Sequence, residues 1–339
     1  MPDSRGFIYM ALRKVLASFA MGLLISISSV NSAANAAIIN IGFSQIGKES
    51  SWRIVLSEDI IRSAKDHNIN LKFENAESSQ QHQIESIRGF IKDNVDLIGF
   101  VPIVETGWDE VLREAKKAKI PVIILDRDLK VSDPSLYLTK IGSDSYTEGS
   151  KAFTFIDDYV VGHAFQPKYG RHQINIAIIE GTESASVTAG RRDGFYDSMS
   201  ETKTSRQYNV FTVEQGDFSK ESGKAAMQRI LEEHKDDIDV LFAMNDDMAL
   251  GAIEAMEEAG VKTGKDVLVV SIDATKEMLK KIIAEKANAT IECNPLQGDL
   301  FFDIALKVLK GEFVPRSIFV DESIFTKANA NSLIDFRKY

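Results

Sequence analysis

Short apolar runs alternate with longer segments whose apolar residues recur every three or four positions. Ile38–Phe43, Leu71–Phe73, Leu97–Val101, Pro121–Leu125 and Leu138–Asp144 are the runs of the first half. Between them lie Leu56, Ile60 and Ala64, then Ile84, Ile87 and Ile91, then Trp108, Val111, Leu112, Ala115 and Ala118. Each of these sets falls on one face of a helix. A helix with Phe153, Ile156 and Val160 follows, and Gly162–His172 then interrupts the rhythm. The alternation restarts with strands at Ile174–Ile179, Tyr208–Val213, Val240–Met244, Val267–Ile272 and Ala289–Cys293. Helices are expected through Phe195 and over Ser219–Glu233, Met248–Ala259, Glu277–Ala284 and Leu300–Leu309, before Ile318–Phe325 and a polar tail. Strands apolar on both faces and separated by helices predict parallel sheets covered on both sides. Each half reads as its own doubly wound α/β unit.

The chain opens with Arg5, Arg13 and Lys14, continues through apolar Val15–Val30, and reaches an Ala-x-Ala at Ala34–Ala36. That order predicts a secretory signal peptide over residues 1–36, since an apolar run of about 16 residues is short for a membrane span. The remaining 300 or so residues suit two domains better than one core. The leader sets Asp3 against Arg5, Arg13 and Lys14, so removing its net +2 takes the formal charge from −10 to −12. Basic residues are dispersed, and no nucleic-acid partner is expected. Cys293 is the single cysteine of an exported chain, which excludes an intramolecular disulfide and predicts a buried, inert thiol.

In a parallel α/β sheet, ligands are met by the loops that leave the carboxyl ends of strands. The first such loop carries Glu49, Ser50, Ser51, Trp52 and Arg53 side by side. An acceptor, two hydroxyls, a flat apolar face and a guanidinium fork suit a small polyhydroxylated ligand. Asp126-Arg127 ends the strand Pro121–Leu125 and can bind vicinal hydroxyls, or equally form a surface salt bridge. Of Arg191 and Arg192, one should face the loop end of its sheet and the other the solvent. Asn245-Asp246-Asp247 stands where a helix needs an N-cap, and Asn245 is also a natural sugar ligand. Asp273 is either a ligand or the cap of the next helix. Phe218, in a polar loop, either stacks on a ring or edges the core.

Enzyme signatures fail. Gly260–Asp266 has three residues between its glycines and Asp266 where a phosphate loop needs a hydroxyl. Gly-x-Gly-x-x-Gly, Gly-x-Ser-x-Gly and His-Glu-x-x-His are absent, and the five histidines show no metal-ligand spacing. No cofactor, metal or catalytic residue is expected.

As a set, LDR at Leu125–Arg127, RRDGF at Arg191–Phe195, GDF at Gly216–Phe218, NDDMALGAIEA at Asn245–Ala255, SID at Ser271–Asp273 and ATI at Ala289–Ile291 resemble the type I periplasmic sugar-binding proteins, the ribose-binding family. Within it, GFSQIGKESSWR at Gly42–Arg53 and TGWDEVL at Thr106–Leu112 are similar to the galactofuranose-binding members of ABC importers, where Ser51 replaces a glycine. The resemblance covers about Ala37–Asn329 and implies two lobes joined by three crossovers, near Gly142–Tyr146, Cys293–Pro295 and Pro315–Ser317. One lobe would combine 37–143 with 294–315, the other 144–293 with 316–339. Carried over by motif, the ligand residues are Glu49, Ser50, Ser51, Trp52, Arg53, Asp126, Arg127, Arg191, Asn245 and Asp273, with Phe218 lying against the sugar.

The function this implies is a periplasmic receptor that binds a monosaccharide, galactofuranose or a similar sugar, by hinge closure. It would act as a monomer and deliver the sugar to an inner-membrane ABC permease with its ATPase. The alternatives are a sugar sensor presenting its closed form to a membrane kinase or chemoreceptor, and an exported enzyme acting on sugars.

Overall fold

The computed structural model describes residues 38–163, 165–168, 173–204 and 206–339. The expected signal peptide, and Ala164 and Tyr169–His172 of the irregular segment, lie outside the described residues. Among the described residues, no helix is long and apolar enough to cross a membrane.

Twelve strands form two six-stranded sheets among the described residues. The first half supplies β1 (Asn40–Gln45), α1 (Ser51–Asp66), β2 (Asn70–Asn75), α2 (Gln80–Lys92), β3 (Leu97–Phe100), α3 (Asp109–Lys117), β4 (Val122–Leu125) and β5 (Thr139–Gly142). The second supplies α4 (Ser145–Gly162), β6 (Gln173–Glu180), α5 (Ser186–Glu201), β7 (Gln207–Gln215), α6 (Lys220–His234), β8 (Val240–Ala243), α7 (Asp246–Glu258), β9 (Leu268–Asp273), α8 (Lys276–Ile283) and β10 (Ala289–Glu292). Then come α9 (Gly298–Leu309), β11 (Ser317–Phe319), β12 (Ile324–Thr326) and α10 (Lys327–Leu333).

The sheet orders are β11-β5-β4-β3-β1-β2 and β12-β10-β9-β8-β6-β7. The five strands that open each half therefore repeat one arrangement, with a topological switch point beside β1 in one sheet and β6 in the other. The ladders are parallel, except that β12 runs antiparallel to β10. β3, β4, β8 and β9 are buried at every position, which is why their sequences read as unbroken apolar runs. Helices pack on these sheets through small sets of large side chains. Phe43 meets Phe301 edge-on at 5.4 Å in the first lobe, and Phe195 stacks on Phe242 at 4.8 Å in the second.

The chain passes between the lobes three times: between β5 and α4, between β10 and α9, and between β11 and β12. The third passage was expected at Pro315–Ser317. The pairing of Ser317, Ile318 and Phe319 with β5 keeps these residues in the first sheet, so residues 320–323 make the crossing. What reads as one strand over Ile318–Phe325 is thus two, broken at polar Asp321, Glu322 and Ser323. Nor is the end of the chain a polar tail. Thr326 and Asn329 form a capping box that starts α10, and a turn of 3₁₀ helix at Ile334–Phe336 follows.

Candidate functional site

The loops after β1, β4, β8 and β9 converge where the lobes meet. Glu49, Ser50, Trp52, Arg53, Asp126 and Arg127 face Val187, Arg191, Phe218, Asn245 and Asp273, with Cys293 of the second crossover between them. About 320 Å³ of space lies between their atoms, part of it open to solvent. Of the eleven residues expected from sequence, ten line this cavity and Ser51 does not.

Ser50 caps α1, its Oγ accepting the Arg53 backbone N–H at 3.1 Å. That cap turns Trp52 and Arg53 inward and leaves Ser51, the first helical residue, exposed. Ser51 instead bridges the lobes: its N–H and Oγ–H both donate to Asp247 Oδ2, at 2.7 and 2.8 Å. A second bridge runs between the Asp128 N–H and Ser186 Oγ at 2.7 Å. The lobes are closed on one another.

Arg53 lies in the first-lobe wall, with Nη2 2.7 Å from Asp126 and Nε 3.0 Å from Glu49. Asp126 is therefore paired, but with Arg53 and not with its neighbour Arg127, and the pair is buried rather than a surface bridge. Arg127 has weaker partners: the Ile103 carbonyl at 3.2 Å and Glu49 at 3.7 Å. Burial, together with the charge of Arg53, pushes its pKa down to about 10. Burial raises Glu49, but Arg53 and Arg127 outweigh it and leave its pKa lowered. Asp126 behaves the same way, burial being outweighed by Arg53 and then Arg127. Both are anions in this wall.

In the second lobe, Arg191 Nε donates to Glu148 at 2.7 Å and Nη1 to the Met244 carbonyl. A Cβ on Gly149 would stand 2.0 Å from the Arg191 carbonyl, so this glycine lets α4 and α5 approach closely enough for the pair. Arg192, the more solvated of the two arginines, is part-exposed and forks onto Glu180 at the end of β6. Asn245 both caps α7, accepting the Met248 N–H at 3.0 Å, and donates to the Phe218 carbonyl at 3.0 Å. The adjacent Asp246 is buried among the Ser271, Thr275 and Thr290 hydroxyls, tying β8, β9 and β10 together. The Phe218 ring rests on Gly181, where a Cβ would stand 2.0 Å away, and faces Arg127 across the cleft at 5.5 Å. The Trp52 indole N–H donates to the Cys293 carbonyl at 2.6 Å, locking its ring against the crossover.

Asp273 is held by Arg191 at 3.9 Å, too far for a hydrogen bond. Burial drives its pKa well above the ordinary carboxylate range, against the pull of Arg191. Asp126, Phe218 and Asp273 all carry positive φ, at 60°, 72° and 129°. Strain of this kind persists where surrounding structure over-determines it, and it concentrates at functional sites.

Sequence reasoning missed Glu148, Glu322 and the lining role of Cys293. The thiol is buried as expected, with its pKa raised by burial. Among the described residues, Glu148, Cys293 and Glu322 bring ligand-type atoms within 4.8 Å of one another. Arg191 already supplies a cation there, and Glu322 is pushed up to about 9, mainly by burial and then by Glu148, so the cluster suits a proton better than a metal ion. Glu148 stands in the first turn of α4, while Cys293 and Glu322 lie in the second and third crossovers, so no local spacing joins them.

Four buried side-chain atoms of the cavity residues have no partner: Glu49 Oε2, Arg53 Nη1, Arg127 Nε and Asp273 Oδ2. Two can accept and two can donate, and they come from both lobes.

A pair of doubly wound lobes closed over such a cavity defines a two-lobed binding protein. Residues 41–313 match the periplasmic binding protein domain, and the chain belongs to that family. It is 35% identical over 298 residues to the galactofuranose-binding protein YtfQ of Escherichia coli (strain K12), covering 87% of this chain and 90% of that protein. A Mycobacterium smegmatis structure in complex with β-D-fucofuranose superposes with a TM-score of 0.82 at 38% identity, over 88% of this chain and 94% of the other. The binding component of an arabinose ABC transporter from Shewanella sp. ANA-3, bound to α- and β-L-arabinofuranose, has the same TM-score at 37% identity, over 88% and 95%.

Proposed function

We propose that this chain is an exported, non-enzymatic receptor that closes over one monosaccharide in its furanose form and hands it to an ABC permease. The observation that carries this reading is the set of four unpartnered buried atoms, Glu49 Oε2, Arg53 Nη1, Arg127 Nε and Asp273 Oδ2. Each such atom left unsatisfied costs about 1–3 kcal/mol. A ligand that accepts from two and donates to two removes those costs together, and a ring of vicinal hydroxyls does both. Trp52 and Phe218 supply apolar faces for the ring C–H groups, and the arginines fix its orientation. A hydroxyl that is missing or misdirected leaves one atom unpaired and weakens binding roughly tenfold or more.

Because the wall residues come from both lobes, the sugar stabilises the closed form over an open one, and closure is the signal that a permease reads. The similarity to binding components of importers supports transport over sensing. A thermal-shift screen over monosaccharides tests the reading, because a ligand that binds the folded form raises the melting temperature. L-Arabinose, D-fucose and D-galactose, whose furanose forms the relatives hold, are the first to try. A flat response across pentoses and hexoses in both ring forms refutes it.

A further inference from the structure

The segment after α10 returns to the back of the sugar site. Arg337 Nε donates to the Ala274 carbonyl at 2.6 Å and Nη2 to the Asp273 carbonyl at 3.3 Å. Its Nη1 pairs with Glu292 at the end of β10. The guanidinium sits between the rings of Phe325 and Tyr339, at 4.7 and 4.0 Å. The Lys276 N–H donates to the Tyr339 carbonyl at 2.7 Å, which fastens the segment to the start of α8.

The backbone that Arg337 grips is the most contorted in the site. Asp273 and Ala274 are consecutive, buried, and at φ 129° and 60°. Each such residue costs on the order of 1–3 kcal/mol and relaxes unless its neighbours hold it. Two other bonds reach this turn, from the Ala274 N–H to Thr290 Oγ1 at 3.0 Å and from the Cys293 N–H to the Asp273 carbonyl at 3.4 Å. Neither is charged. Arg337 contributes charge-assisted bonds, which are the stronger kind, and its third arm keeps β9 and β10 in register at their ligand ends. It does not line the cavity itself.

We infer that Arg337 is a positioning residue for the sugar site, fixing the Asp273–Ala274 turn so that the Asp273 carboxylate stays in the cavity. The inference deepens the monosaccharide reading and rests on it. The test is a set of affinities for L-arabinose, D-fucose and D-galactose measured by calorimetry on the Arg337→Ala, Arg337→Lys and Arg337→Gln variants, the last two guarding against a misfolded alanine variant. Roughly tenfold weaker binding is expected for Arg337→Ala, with partial recovery in Arg337→Lys. The loss should vanish when Asp273→Asn is already present, and should persist when Arg53→Lys is. Unchanged affinity in a variant whose melting temperature has fallen overturns the inference, as does an undiminished loss in the Asp273→Asn background. A ligand-free crystal structure of Arg337→Gln reads the same claim without any sugar. An Asp273 carboxylate still in place overturns it, whereas failure of the unaltered protein to bind any monosaccharide counts against the sugar reading and leaves this comparison to decide.

Discussion

The clasp between Ser51 and Asp247 gives the sharpest quantitative expectation, because it joins the lobes without touching the cavity. Asp247→Ala removes two hydrogen bonds and an anion set against the amino end of α1. Counted separately, the two bonds contribute about 1 kcal/mol each and the helix end another ~0.3–1 kcal/mol. Burial opposes this, raising the Asp247 pKa against the two Ser51 bonds. The carboxylate therefore gives back part of what the bonds supply, and Ser51 is exposed to competing water. A net loss of about 1.4 kcal/mol, or tenfold, is the reasoned figure. Since the clasp forms as the lobes meet, the loss should fall on sugar release. Stopped-flow tryptophan fluorescence would show a release rate about tenfold faster with association little changed, and Ser51→Ala should fall between the two proteins. An unchanged release rate in Asp247→Ala would refute the idea that this contact holds the closed form.

Arg127→Ala should weaken sugar binding by about 100-fold or more while melting temperature changes little, because Arg127 is the least well paired of the three cavity arginines; calorimetry beside a melting curve decides it. Sugar should change tryptophan emission through Trp52 alone of the two tryptophans, since Trp108 is buried in the first-lobe core with its indole N–H on the Val104 carbonyl; Trp108→Phe should keep the response and Trp52→Phe should lose it. Glu322 has a folded pKa raised to about 9, so its protonated form contributes stability below the ordinary glutamate value that is lost as pH rises through about 9. Melting curves between about pH 5 and 9 should fall more steeply for the unaltered protein than for Glu322→Gln; parallel curves would show that the buried proton is not there.

The sheet strands and the residues at their ends were legible because two simple signals coincide there. A strand buried on both faces reads as an unbroken apolar run, and the first polar residues after it are already at the cleft, as with Asp126-Arg127 and Asp273. What one residue does at such an end is less legible. Ser50 and Ser51 are chemically alike, and the cap geometry alone sends one to the helix end and the other across to Asp247. The break between β11 and β12 was missed because Ile318–Val320 and Ile324-Phe325 have the same β character, and the sheet each joins depends on partners far away in sequence. The segment holding Arg337 was passed over for the same reason. Its one local signal, the Thr326–Asn329 capping box, uses Asn where Glu or Gln is usual, and the role of Arg337 follows from carbonyls 63 and 64 positions earlier.

Asp126, Phe218 and Asp273 hold left-handed backbones that glycine adopts without a Cβ penalty. The site is thus poised against the fold's own stability at three separate loops. A mutant library selected for heat resistance should drift toward glycine at Asp273 and lose sugar binding with it, but keep Phe218, whose ring is packed, and Asp126, which pairs with Arg53; one selected for growth on the sugar should keep all three. Sequencing the two populations would read out, position by position, where this protein's ancestry favoured recognition over robustness.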